Sequence, residues 1–123
     1  MARTQSAWQA AFYADATGWQ PVKDFLNALE ASDPDEADTL HRKFAVFGER
    51  GWGDSLKSGL LKPVEGKIYE IKVRGGQARV LGFGWHKYFM AAGAEMKKTA
   101  ALDRATINAA EERRQEWIAR CGQ

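Results

Sequence analysis

Apolar side chains recur at the spacing of a helix in the first part of the chain. Pro21 stands where a helix can start, and the apolar residues after it lie three or four positions apart: Val22, Phe25, Leu26 and Leu29. Asp33 followed by Pro34 is a stronger start signal, because it offers a capping carboxylate and a proline at the first helical position. A second apolar stripe ends before Gly48 and Gly51, and its members are Ala37, Leu40, Phe44 and Phe47. The pattern predicts two helices that form an αα-hairpin.

The period changes to that of a strand in the second part of the chain. Apolar and charged side chains alternate from Tyr69 to Arg74, and Gly75-Gly76 is a typical hairpin turn. The remaining predicted elements are an aromatic-rich first strand, two strands after the turn and a last helix, over residues 7–14, 77–84, 86–93 and about 103–119.

The predicted order of elements is therefore β-α-α-β-β-β-α. It indicates a single α+β domain over residues 1–123, with an N-terminal αα-hairpin and a C-terminal helix packed on one face of a small antiparallel sheet. The length of 123 residues, 45% of them hydrophobic and 28% charged, is typical of one globular domain. We expect a cytoplasmic protein, because no apolar run has the length of a membrane span and the N-terminus lacks a signal-peptide layout.

Charge is distributed unevenly, although the net charge is only +2. Residues 56–98 carry nine Lys or Arg side chains against three Asp or Glu, whereas acidic residues are in excess over residues 1–55. Such a basic stretch favours an anionic partner, with nucleic acid as the first candidate. The alternative is a lysine-rich surface that only interacts with solvent.

Common enzyme motifs are missing from the sequence, which contains no Walker loop, no HExxH and no CxxC. Two histidines, His41 and His86, and one cysteine, Cys121, are too few for an ordinary metal site or a disulfide framework. We therefore expect no metal and no cofactor.

Cations on the predicted strands are the remaining candidates for chemistry. Lys72 and Arg74 share one face of their strand, and Arg79 lies across the hairpin from them. When a 2′-hydroxyl of RNA attacks the adjacent phosphorus, fixed guanidinium groups stabilise the charge that develops on the phosphoryl oxygens. A lysine beside them can have a lowered pKa and act as the base. The alternative is a sheet face that is basic only for solubility.

Three segments in the same order resemble the RelE/ParE superfamily of bacterial toxins, in particular its HigB-like, phage-derived branch. They are the opening from Tyr13 to Leu29, the stretch from Leu60 to Phe83, and Lys97-Lys98-Thr99 with the helix that follows to Trp117. The resemblance covers about residues 8–118. It implies the element order given above.

The resemblance also implies a function. It implies a small toxin that cleaves mRNA, typically in the ribosomal A site, and that is neutralised by a helix-turn-helix antitoxin. Arg79 and Arg74 would then stabilise the transition-state phosphate, and Lys72 or Lys62 would take the 2′-proton. The residues expected to hold the RNA backbone are Lys57, Lys97 and Lys98, and His86 is a candidate general acid.

The sequence departs from the pattern of that branch at several positions. Lys72 stands where the branch commonly has arginine, and Glu95 replaces a residue that is commonly aromatic. Leu102-Asp103 replaces the usual Thr-Pro helix start. These changes leave open two other functions: a catalytically inactive, phage-derived binding module that grips a host protein, and a gyrase poison as in the ParE branch.

Overall fold

Five strands form one mixed sheet in the computed structural model of the chain, which describes residues 7–73 and 75–123. In chain order the strands are β1 (Gln9–Phe12), β2 (Leu61–Glu65), β3 (Ile68–Lys72), β4 (Ala78–Trp85) and β5 (Tyr88–Met96). The helices of the described residues are α1 (Pro21–Ser32), α2 (Pro34–Ser58) and α3 (Arg104–Cys121). The predicted α+β class is confirmed, and the order of elements is β-α-α-β-β-β-β-α.

The sheet differs from the prediction in two ways. The order of its strands is β1-β5-β4-β3-β2, and β1 runs parallel to β5 while the other neighbours are antiparallel. The sheet is therefore mixed, not purely antiparallel, because α1 and α2 return the chain to the same end after β1. The sequence pattern also missed β2, an edge strand that contains Pro63 and, among the described residues, pairs with β3 alone.

Helices cover both faces of the sheet, so the prediction of helices on one face was wrong. One core lies between the sheet and the pair α1 and α2, and a second core lies under α3. Successive residues of β5 supply both cores, with Phe89 and Ala91 on the first face and Met90 and Ala92 on the second. Central strands that are apolar on both faces need cover on both sides.

α2 is interrupted at Gly51, one of the two glycines at which the sequence predicted its end, and a second helical segment follows. Gly51 has φ 79°, a backbone conformation that favours glycine, and the helix bends there before it ends at Ser58. The bend brings Trp52 against Phe47, Tyr69 and Phe89. It also delivers the chain through Gly59 to the start of β2. None of the helices in residues 7–73 and 75–123 is both long and apolar enough to cross a membrane.

α3 is attached to the sheet by polar contacts at both ends. Near its start, Arg104 makes a bidentate ion pair with Glu65 of β2. Near its end, the hydroxyl of Tyr13 donates to Glu116 at 2.6 Å. Burial, together with this hydrogen bond, raises the pKa of Tyr13 to about 12. These contacts hold α3 in place near both of its ends.

A cationic cleft as the candidate functional site

A cleft of about 620 Å³ opens where α2 ends, β2 begins and the β3–β4 hairpin turns. Glu70 is the one acidic side chain among the described residues that line it. Six basic side chains line it as well: Lys43, Arg50, Lys62, Lys72, Arg79 and Lys97. We call this feature the cationic cleft. A cleft lined mainly by charges of one sign attracts ligands of the opposite sign, so the cationic cleft is suited to anions.

Strand register brings four of these charges together from separate parts of the sequence. Lys62 of β2 lies opposite Glu70 of β3, and Lys72 of β3 lies opposite Arg79 of β4. Directly opposed residues share a face of the sheet, as do Glu70 and Lys72 at positions two apart. The four side chains therefore form one cluster on the α3 side of the sheet.

Arg79 is buried, unlike an arginine that is exposed to bind a phosphate. Its exposed fraction is 8%, and its Nε lies 3.3 Å from the carboxylate of Glu70, which is 5% exposed. Its Nη2 donates to the carbonyl of Ala100 at 3.1 Å. Nη1 is buried and has no hydrogen-bond partner among the described residues. The guanidinium is thus held rigidly, with one nitrogen left over and part of its charge offset by Glu70.

Lys62 and Lys72 form a pair of like charges at the exposed side of the cluster. The ammonium of Lys62 lowers the pKa of Lys72, and Glu70 acts in the opposite direction. A lowered pKa increases the fraction of neutral amine at a given pH, which is the form that accepts a proton. This is the direction that a lysine base requires, and the role of Lys72 or Lys62 as the base stays a prediction.

The other predicted RNA-binding lysines are divided between the cationic cleft and the outer surface. Lys97 lines the cleft just after β5 ends. Lys57, in the last turn of α2, and Lys98 are exposed and are not among the lining residues. Arg74, predicted to stabilise the transition state, lies outside the described residues.

His86 lies far from the cationic cleft, so the structure does not bring the candidate general acid to the cluster. It occupies the turn between β4 and β5, not the start of the third strand, and its φ is 53°. Arg79 is near the opposite end of β4. Six residues separate Arg79 from Trp85 along the strand, or roughly 20 Å.

Glu95 stabilises the loop after β5 and does not line the cationic cleft. It lies opposite Arg79 in the register of β4 and β5, but its carboxylate accepts a hydrogen bond from the backbone N–H of Asp103 at 3.0 Å. Asp103 in turn caps α3 through the N–H of Ala105 at 2.9 Å. Glu95 and Asp103 thus form one structural unit.

Sequence analysis missed the contribution of α2 to the cleft. Lys43, Val46 and Arg50 lie three and four residues apart, so they share one face of the helix. The spacing is visible in the sequence, but the excess of acidic residues over residues 1–55 directed attention to the second part of the chain.

Sequence analysis also missed a buried carboxylate that holds the β3–β4 hairpin. One oxygen of Glu36, on α2, accepts hydrogen bonds from the backbone N–H groups of Gln77 and Ala78, the second at 3.2 Å. Gly76 leaves the space for this carboxylate, because a Cβ there would collide with Glu36 and with Val73. The start signal at Asp33 is confirmed, since its side chain accepts from the N–H of Glu36.

No model of a known protein family matches the chain, and no curated protein matches it in sequence. The resemblance to the RelE/ParE superfamily therefore stays a prediction.

Within residues 7–73 and 75–123, no three His, Cys, Asp or Glu side chains are grouped as a metal site requires.

Proposed function

We propose that this chain is a metal-independent endoribonuclease, the toxin component of a toxin–antitoxin system, and that it cleaves mRNA in the cytoplasm. The observation that supports this most is the cationic cleft, which six basic side chains and one carboxylate line. The phosphate backbone of RNA is the polyanion that such a surface binds through ionic contacts.

The proposed reaction is an attack within the RNA chain. The 2′-oxygen of one ribose attacks the adjacent phosphorus, and the bond from phosphorus to the 5′-oxygen of the next nucleotide breaks. Lys72 takes the 2′-proton, and Lys62 gives a proton to the departing 5′-oxygen. The products are a 2′,3′-cyclic phosphate and a 5′-hydroxyl, so atoms and protons balance.

The Lys62–Lys72 pair supports these roles because the ammonium of Lys62 lowers the pKa of Lys72. A lower pKa favours the neutral amine of Lys72, which is the form that accepts a proton, and Lys62 stands beside it as the proton donor. Arg79 adds a cation whose orientation is already fixed by Glu70 and Ala100, so little reorganisation is needed as charge develops on the phosphate.

The proposed partners follow from the resemblance to the RelE/ParE superfamily alone. They are a helix-turn-helix antitoxin that neutralises the toxin, and the ribosome with mRNA in its A site. A binding module that grips a host protein is the alternative, and one observation favours it: Glu70 offsets part of the charge of Arg79.

Inducible expression in bacteria, with growth and total mRNA followed together, tests the proposal. We expect the wild-type protein to stop growth and to deplete mRNA. Lys62→Ala/Lys72→Ala removes the acid–base pair from two exposed positions and should abolish both effects. Arg42→Ala/Lys67→Ala removes two exposed charges that do not line the cationic cleft, and it should retain both effects.

Three results would contradict the proposal. Growth arrest with intact mRNA would favour a gyrase poison or another target. Unimpaired growth with normal expression of the wild-type protein would favour the binding module. Equal activity of the two double variants would remove the lysine pair from the mechanism.

A further inference from the structure

Two cations of α2 enter the cationic cleft from the side opposite the strand cluster. Lys43 and Arg50 are seven residues apart on one helix face, with Val46 between them. Seven residues correspond to about 10 Å along a helix axis. The two charges therefore line a length of the cleft, and they are not focused on one point.

Arg50 is held in place by a contact across the bend of α2. Its Nη1 donates to the hydroxyl of Ser58 at 3.0 Å, and this hydroxyl donates to the carbonyl of Ser55 at 3.2 Å. Both Arg50 and Ser58 line the cleft. A guanidinium positioned in this way loses less conformational entropy when it binds an anion than a free side chain does.

The lining contributed by α2 carries no acidic side chain among the described residues. The acidic residues of this helix lie on other faces, and Glu36 reaches the hairpin backbone. Val46 adds an apolar surface between the two cations. Alternating cationic and apolar lining is suited to a chain in which phosphates alternate with sugars and bases.

We propose that Lys43 and Arg50 form a second RNA-backbone subsite on α2, which binds phosphates next to the one that is cleaved. This inference rests on the proposed function, because it assigns the scissile phosphate to the strand cluster at Lys62, Lys72 and Arg79. The α2 subsite would contribute to binding and to the path of the RNA, and it would leave the chemical step to the strand cluster.

Salt dependence of RNA binding tests the subsite. The probe is a labelled ten-nucleotide single-stranded RNA, titrated at several salt concentrations. Each phosphate contact contributes about 0.7 to the slope of log affinity against log salt. Lys43→Ala/Arg50→Ala should therefore flatten the slope by about 1.4, so the affinity of the wild-type protein falls about 7-fold more than that of the variant when salt is raised fourfold.

Arg42→Ala/Lys67→Ala is the matched control, because it also removes one arginine and one lysine and both side chains are exposed outside the cleft lining. Its slope should equal that of the wild-type protein. Circular dichroism and thermal unfolding of both variants establish that they are folded. In cleavage assays, Lys43→Ala/Arg50→Ala (the α2 variant) should have a higher KM than the wild-type protein and the same kcat.

Each other result overturns a specific statement. If the wild-type protein has a flat slope, the proposed function is wrong and the subsite is wrong with it. If the wild-type slope is steep but the α2 variant equals the control, only the subsite is wrong. If the α2 variant keeps the RNA slope and loses binding to a polyglutamate peptide, this side of the cleft binds an acidic protein and the subsite is wrong.

Discussion

Arg79 and Glu70 are a buried ion pair, and this determines what a substitution at Arg79 can reveal. Arg79→Ala alone leaves the carboxylate of Glu70 buried without its partner, which should cost about 3–5 kcal/mol of unfolding free energy. A loss of activity in that variant would report on stability as well as on catalysis. Arg79→Met/Glu70→Leu removes both charges, and we expect it to retain nearly the stability of the wild-type protein.

The double variant should cleave RNA about 10²–10³ times more slowly than the wild-type protein, because one fixed donor to the phosphate is lost. Urea denaturation and the initial rate of RNA cleavage check the two parts of this prediction. Glu70→Leu is the companion single variant, since it leaves the arginine charge in place. A stable double variant with the wild-type rate would show that Arg79 takes no part in the reaction.

Lys72 provides a prediction about pH. The neighbouring Lys62 is the first cause of its lowered pKa, so Lys62→Met should move the pKa of Lys72 upward. The folded protein would then hold the Lys72 proton to a higher pH. The measurement is an NMR titration of the ¹³Cε resonance of Lys72 in the wild-type protein and the variant. Lys67→Met, in the β2–β3 turn, is the control, and a titration midpoint of Lys72 that is the same in all three proteins would contradict the electrostatic coupling.

At the scale of elements, the helices and the central hairpin were predictable because their apolar periods are local. β4 and β5 were predicted as strands, but the face of the sheet that α3 covers was not predicted. Both strands are apolar on both faces, so their sequences do not distinguish the face that packs against α3 from the other face. β2 contains Pro63 and two charged side chains, so its assignment depends on pairing with β3. Tertiary pairing, and not local preference, determines such an edge strand.

The β3–β4 hairpin carries part of the site, and α2 holds it through Glu36. Glu36→Ala leaves the buried N–H of Ala78, and that of Gln77, without this acceptor. We expect a loss of about 1–3 kcal/mol in the free energy of unfolding. RNA cleavage should fall as well, because Lys72 and Arg79 flank this turn. Urea denaturation and hydrogen exchange of the turn amides measure the effect.

Asp35→Ala is the matched control for this element, since Asp35 is the preceding residue and is exposed. It should cost only the interaction of one carboxylate with the start of α2, about 0.3–1 kcal/mol. If Glu36→Ala and Asp35→Ala have the same stability and the same exchange at the turn, the bridge between α2 and the hairpin contributes nothing.

At the scale of the whole molecule, the uneven charge of the sequence predicted only part of the cationic cleft. Residues 56–98 supply Lys62, Lys72, Arg79 and Lys97, but the acidic first part of the chain supplies Lys43 and Arg50. Counting charges along the chain does not reveal this, because the cleft is formed by packing α2 against the hairpin. A count of charges also does not distinguish Lys57 and Lys98, which are exposed outside the cleft lining, from the lysines that line the cleft.

The chemical identity of the RNA ends tests the proposed mechanism most directly. The RNA is isolated after induction of the wild-type protein, with the Lys62→Ala/Lys72→Ala variant as the control, and the new ends are analysed by mass spectrometry and end-specific ligation. We expect 2′,3′-cyclic phosphates or the 3′-phosphates formed from them, together with 5′-hydroxyls, in the wild-type sample only. New 3′-hydroxyls with 5′-phosphates, or no new ends at all, would contradict an attack by the 2′-oxygen in the cationic cleft.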